Sequence, residues 1–484
     1  MRNFVFTIIA AIVLIISGCS EDFLERTNPN TISEDNFWIT EEDAEAGLMG
    51  VYAWLQNDDL YARRFFFLEA ISDNGFEEFG AGNLEISIGT HLPTNSVVTS
   101  FWRGNYTVVN RANDVLANVP SIDMDEDYKN QILGEAYFLR ALAYLNLTTL
   151  YGNVPLLEEP LIVGDQPGNT PRDETRALMI NDLIEAIDLL PASNPGRASL
   201  GAVQALLMKY YLYEEDYPEA ATLGRTIINS GTYDLFDGAY GDLFTTANEN
   251  DNEVIFSVKF AINLGSDQAE SFSENFENIR PLPNFAEAFQ CIDGLPITTS
   301  PLYNPDSVWV NRDPRFDATI TREGEIRIEG EGLWDPLDSD TELAYQKYTT
   351  GVRGLSEGQQ DFYVLRYADV LLMYAEAQNE DVGPDASVYD AVNEVRSRVG
   401  MPDLAVGLDQ DQMRQAIRDE RRFEFGFEGT RLFDLYRWGI AEDRFENGVT
   451  FHNRNYDSPK HDLWPIPQVE LDNNENIDPN PGWE

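Results

Sequence analysis

Residues 199–230 read SLGAVQALLMKYYLYEEDYPEAATLGRTIINS. Ala205, Leu206 and Tyr210 fall at the three- and four-residue spacing of one helix face, and Ala220, Ala221, Ile227 and Ile228 mark another. Between them Glu215-Asp216-Tyr217-Pro218 breaks the period, and a proline there cannot continue a helix interior. The segment therefore predicts two helices folded back on each other, with small residues where they cross.

That hairpin resembles a tetratricopeptide unit, and the pattern recurs on both sides of it. Upstream, Thr40-Glu41-Glu42-Asp43 is a capping box followed by Ala44, Leu48, Val51, Tyr52 and Leu55 at helical spacing. Helices are expected near 100–118 and 125–150, the second stopping at Tyr151-Gly152, and over 173–190 before Pro191. Downstream, Arg366–Asn379 with Ser387–Val399 and Met413–Phe425 with Thr430–Ile440 are further candidate pairs. The middle, 240–360, breaks the rhythm with Gly, Pro, Asn and Asp and with short strand-like runs at Val254–Phe260 and Glu325–Ile328. The predicted fold class is all-α, mainly helical: tetratricopeptide-like hairpins with a long irregular insertion containing short strands. The divisions are a signal peptide at 1–18, an N-terminal helical part at 19–230, an irregular ligand-binding part at 240–360 and a C-terminal helical part at 361–484. Long irregular stretches inside a compact chain are usually functional, so specificity is expected in the insertion.

Arg2, an apolar run from Phe4 to Ile16, and then Ser17-Gly18 have the order of a secretory signal. The run is too short to span a bilayer, which takes about 20 residues. Ile16-Ser17-Gly18-Cys19 resembles the lipobox of bacterial lipoproteins, which implies cleavage before Cys19, acylation there, and anchoring by several chains. Cys291 is then the only other cysteine, so the mature chain has no internal disulfide, and Cys291 is expected to be a small buried apolar residue. With 33 basic against 84 acidic residues the net charge is −51. Nucleic acid is excluded as a partner for want of Lys and Arg clusters, and attachment to anionic lipid by charge is equally disfavoured. A solvated acidic surface suits saline surroundings.

Enzymatic signals are sparse. His91, His452 and His461 have no metal-ligand spacing, and there is no phosphate loop or nucleophile elbow. Asp123–Asp127 lacks the glycine and glutamate of a calcium loop and reads as a solvated helix start. No catalytic residue, metal or cofactor is expected, although a glycosidase-like carboxylate pair is defined by separation in space and leaves no sequence spacing to find. The block Glu420–Arg431, with Asp434, Arg437 and Trp438 after it, interleaves acids and arginines with aromatics and predicts a buried ion-pair network fixing two helices. In the loops, Asp73, Asn74, Phe76 and Phe79, and then Trp309, Trp334 and Tyr345, put rings beside planar hydrogen-bonding groups, a combination suited to sugars. These seven are the candidate ligand-binding residues.

Nearly the whole mature chain resembles the SusD/RagB family of outer-membrane lipoproteins. The resemblance rests on Cys19–Leu24 and Phe37-Trp38, on Glu135–Ala141 and Tyr151–Pro155, and on Asp293–Pro296 and Arg312–Arg315. It continues through Arg366–Leu372, Val392–Arg396, the Glu420–Arg431 block, Asp434–Gly439, Pro465–Pro467 and Asn480–Gly482. It implies a helical fold on four tetratricopeptide-like units and a lipid-anchored, surface-exposed protein at the outer membrane. It also implies capture of oligosaccharide for a SusC-like TonB-dependent transporter, or of oligopeptide in the RagB-like branch. A surface glycoside hydrolase is the alternative of another class. The shared motifs are scaffold residues, so the seven candidates are chosen by loop position and chemistry.

Overall fold

The computed structural model describes residues 37–77, 81–261, 279–321, 326–328, 332–333, 341–348, 358–449, 451 and 453–484. The expected signal segment and Cys19 lie outside these residues.

Helix α1 (Glu41–Leu55) starts on the predicted capping box: Thr40 Oγ1 accepts from Asp43 N–H, and the Asp43 carboxylate accepts from Thr40 N–H at 2.8 Å. Its Ala44, Leu48, Val51 and Leu55 are buried. Helix α2 (Arg64–Ile71) is buried almost throughout. Helix α3 (Ser96–Asn118) is capped by Asn95, whose side chain accepts from Val97 and Val98 N–H. Asp125 caps α4 (Glu126–Leu150) by accepting from Tyr128 N–H, so the acidic run there is a helix start as expected. Then come α5 (Arg172–Leu189), α6 (Leu200–Tyr213) and α7 (Tyr217–Ser230), the last closed by Gly231 in the left-handed conformation.

These helices stack in order: α1 on α3, α3 on α4, α4 on α5, α5 on α6 and α6 on α7. The next layer is α8 (Tyr367–Val382), which packs on α7 and in turn carries α9 (Ala386–Arg398) and α10 (Gln410–Glu424). Gly224 of α7 makes that layering possible. A Cβ there would stand 2.6 Å from Met208 Cε of α6 and 2.9 Å from Tyr374 Cβ of α8. The stack is thus continuous in space, while residues 231–366 leave it and return.

The excursion is closed at its neck. Strand β1 (Gly75–Glu77) lies in the N-terminal body; β2 (Val254–Val258), β3 (Ile279–Pro281) and β4 (Phe362–Arg366) belong to the excursion. β2 pairs antiparallel with β4, placing Val258 opposite Phe362 and Val254 opposite Arg366. β3 pairs with β1. The two strand-like runs read from sequence are present, as Val254–Val258 and Ile326–Ile328.

One predicted pair is corrected. In the expected pair Met413–Phe425 with Thr430–Ile440, the second helix, α11, covers only Arg431–Arg437 and packs on α2 and α4, whereas α10 packs on α8. The chain is redirected by the turn before it, where Phe427 (φ 64°) and Gly429 (φ 70°) are left-handed. A Cβ on Gly429 would meet the Phe65 carbonyl oxygen of α2 at 2.4 Å, so the turn is seated directly on that helix.

Candidate functional site

The acid–arginine block is buried, and it reaches further than two helices. Arg366, at the end of β4, makes a bidentate pair with Glu428 through Nε and Nη2, both at 2.8 Å, while its Nη1 reaches Glu253 at 2.6 Å and Glu424 at 2.7 Å. Arg315 bonds Asp313, Glu420 and Glu424; Arg396 bonds Glu420; Arg398 bonds Glu253 and Glu424; Lys347 bonds Glu428. The network fastens both ends of the excursion to α9 and α10. Glu420 and Glu428 are 1% and 3% exposed at their side chains, and every carboxylate oxygen is engaged by a cation, which leaves no path for a substrate.

Four of the seven candidate ligand residues are corrected by burial. Asp73 is fully buried, 2.7 Å from Arg431 and 3.1 Å from Arg444, with Arg422 at 3.6 Å. Asn74 donates to Glu69 Oε1 at 2.8 Å and accepts from Arg422 Nε at 2.7 Å. Phe76 packs in a small cluster with Leu282, Val449 and Phe451. Tyr345 stacks on Phe427 at 4.2 Å and donates to the Asn74 carbonyl. Rings beside planar polar groups here form the seam between the N-terminal body and the excursion. Phe79 and Trp334 lie outside the described residues. Cys291 is buried and free, as expected.

Beside this seam, burial pushes the Glu69 carboxyl up to about 7. Its protonated form suits the fold, so its contribution is present below the ordinary value of 4.5 and is lost as pH rises through about 7. Glu69→Gln is therefore expected to match the parent near pH 5 and to exceed it by about 1–3 kcal/mol above pH 8. Urea midpoints at the two pH values check this, and an offset that does not change with pH would contradict it.

Trp309 has a different setting. It is half-buried and lies flat on Phe316, with ring centroids 5.0 Å apart and planes at 16°. The Arg312 guanidinium sits 4.7 Å from the same Phe316 ring and donates to the carbonyls of Ala286, Phe289 and Val308. A backed indole with part of its ring at the surface is a stacking platform. Val310, next to it in the chain, is exposed.

Two concave features escaped sequence reading. A groove of about 1050 Å3 runs between α3, residues 155–167 and residues 469–477, over Trp102 and Tyr106. Its polar groups are largely spent on backbone: Tyr106 Oη donates to Pro155 O, Arg111 to Gly50 O, and Asn110 Oδ1 accepts from Leu161 N–H. A smaller cavity of about 360 Å3 is formed by residues 192–199, 232–233 and 249–259 and is lined mostly by polar side chains. The run Asn248-Glu249-Asn250-Asp251-Asn252 was the only local signal for it. Among the described residues no group of three or more His, Cys, Asp or Glu is placed to hold a metal, and no helix is long and apolar enough to cross a membrane.

Comparison with known proteins covers both halves of the chain. Residues 244–483 match the model of the SusD family, and residues 22–212 match a family described as starch-binding and associating with the outer membrane. SusD-like protein P25 of Formosa agariphila is 28% identical, with 96% of each chain covered. A solved laminarin binding SusD-like protein aligns with a TM-score of 0.75 at 27% identity, over 92% of this chain and 100% of that one. A SusD-like carbohydrate binding protein from Bacteroides fragilis shares the fold, with a TM-score of 0.81 at 24% identity, over 91% of this chain and 100% of that one.

Proposed function

The chain belongs to the SusD/RagB family, and from that premise we propose that it is a lipid-anchored glycan-binding protein of the cell surface. It captures oligosaccharide and delivers it to a SusC-like TonB-dependent transporter in the outer membrane, breaking no bond. Trp309 carries the binding side of this proposal: an indole braced by Phe316, inside the excursion, presents a face that stacks on the C–H surface of a sugar ring. The relatives named for carbohydrate and laminarin binding support the ligand class. The closed carboxylates of the ion network support a binding role over a hydrolytic one.

A glycan array on residues 20–484, read beside a reducing-end assay, tests the proposal. Binding without release of new reducing ends is expected; steady release would replace it with a hydrolase, and a blank array with captured peptides would replace the ligand. Trp309→Ala is expected to keep the melting temperature within a few degrees and to weaken binding of the best array ligand by about 1 kcal/mol or more, roughly fivefold or greater. Unchanged affinity would remove Trp309 from the site.

A further inference from the structure

The small polar cavity lies where the connection from α5 to α6 and the end of α7 meet the approach to β2. At about 360 Å3 it falls in the size range of small-molecule sites, about 300–1,000 Å3. Six side chains set its chemistry: Asn194, Arg197, Tyr233, Glu249, Asn252 and Lys259.

Both cations are already neutralised. Lys259 pairs with Asp361, and Arg197 pairs with Glu135 at 2.8 Å and Glu45 at 2.9 Å. An anion entering the cavity would meet no unspent positive charge and would face Glu249 and Asp251. The cavity nonetheless holds unmet hydrogen-bonding capacity. Glu249 takes Asp361 N–H on Oε1, and its Oε2 has no partner among the described residues. The Asn252 side chain is exposed and also makes no hydrogen bond among them. Unmet donors beside unmet acceptors fit hydroxyl groups, each of which both donates and accepts.

The cavity also has a fixed ring. Tyr233 is half-buried and presses against the start of α6, where a Cβ on Gly201 would stand 1.9 Å from Tyr233 Oη. Glycine at 201 therefore gives the tyrosine its place, and Phe256 lines the cavity as well. A polar, acidic cavity that turns anions away and holds a positioned aromatic ring has the makings of a neutral pyranose site.

We infer that this cavity is a second saccharide subsite, taking roughly one or two neutral sugar units. Trp309 lines no part of it. The subsite shares with the proposed function only the class of ligand, and the two fail separately. Calorimetric titration of the mature chain with neutral gluco-, manno-, galacto- and xylo-oligosaccharides, alongside uronate and sulfated sugars, provides the test. For a binding neutral sugar, two classes of site are expected. Glu249→Gln, Asn252→Ala and Tyr233→Ala each weaken one class about fivefold or more and leave the other unchanged, while Trp309→Ala does the reverse. Should Tyr233→Ala lower the melting temperature, Asn252→Ala decides, because Asn252 is exposed and bonded to nothing among the described residues. Isotherms insensitive to all three variants overturn the subsite, as does binding confined to charged sugars or no binding at all. A single site that responds to Asn252 and Glu249 but not to Trp309 upholds the subsite and removes the Trp309 platform.

Discussion

Glu424→Ala is expected to destabilise the chain by about 3–5 kcal/mol, the scale for breaking a buried ion pair from one side. Its carboxylate is fully buried and meets Arg366 at 2.7 Å, Arg398 at 2.5 Å and Arg315 at 3.1 Å. Burial alone would raise its pKa; Arg398, Arg366 and Arg315 outweigh that and hold it well below the usual carboxylate range. Among the described residues the connected network balances Arg315, Lys347, Arg366, Arg396 and Arg398 against Glu253, Asp313, Glu420, Glu424 and Glu428. Removing Glu424 leaves one buried positive charge in excess. Glu424→Gln keeps the shape and loses only the charge, so it should fall between parent and alanine variant. Because this carboxyl is depressed, its contribution is present above the ordinary pKa of 4.5 and disappears as pH falls below it. Denaturant midpoints for the three proteins at neutral pH check the order, and a loss below about 1 kcal/mol for the alanine variant would mean that the network relaxes around the gap.

Asp73→Ala is the second large effect, expected at about 3 kcal/mol or more because it strands several buried guanidinium groups. Arg431 grips both oxygens, at 2.7 and 2.9 Å; Arg444 adds a contact at 3.1 Å and Arg422 one at 3.6 Å. Burial opposes the charge, but these arginines hold the carboxyl well below its usual range, so the contribution is present above about 3.8 and fades in more acidic solution. The variant also separates scaffold from site. Folded Asp73→Ala protein should bind glycan as the parent does, with a lower melting temperature, the converse of Trp309→Ala. A stable Asp73→Ala protein with weakened binding would return Asp73 to the ligand site.

What could be read from the chain follows the reach of each signal. Helix faces are local: the Thr40 box and the 199–230 hairpin appear where the spacing puts them. The ion-pair block was legible because its acids and arginines crowd within a dozen residues. Asp73 was not, since its partners Arg422, Arg431 and Arg444 lie far downstream, and an acid beside an asparagine and a ring looks the same whether it faces a sugar or an arginine. The misplaced α11 turns on a left-handed Phe427, a conformation that residue type does not announce. The polar cavity draws its walls from three separated segments, of which only the Asn248–Asn252 run has a distinctive composition.

The ladder between β2 and β4 has a consequence for how such a chain diversifies. Val258 and Phe362 are rungs of one ladder, so everything between them departs from and returns to the same place. Lengthening a closed loop costs little, about 0.6 kcal/mol for each doubling. Inward of that gate the riveted points include β3 on β1, Arg315 with Asp313 on α10, Tyr345 on Asn74 and Phe427, and Lys347 on Glu428. Exposed positions between the rivets, such as Leu302 and Val310, can be rewritten while the layered helices keep their register. The architecture behaves as a chassis with an interchangeable head: selection can retune what is recognised without disturbing what carries it.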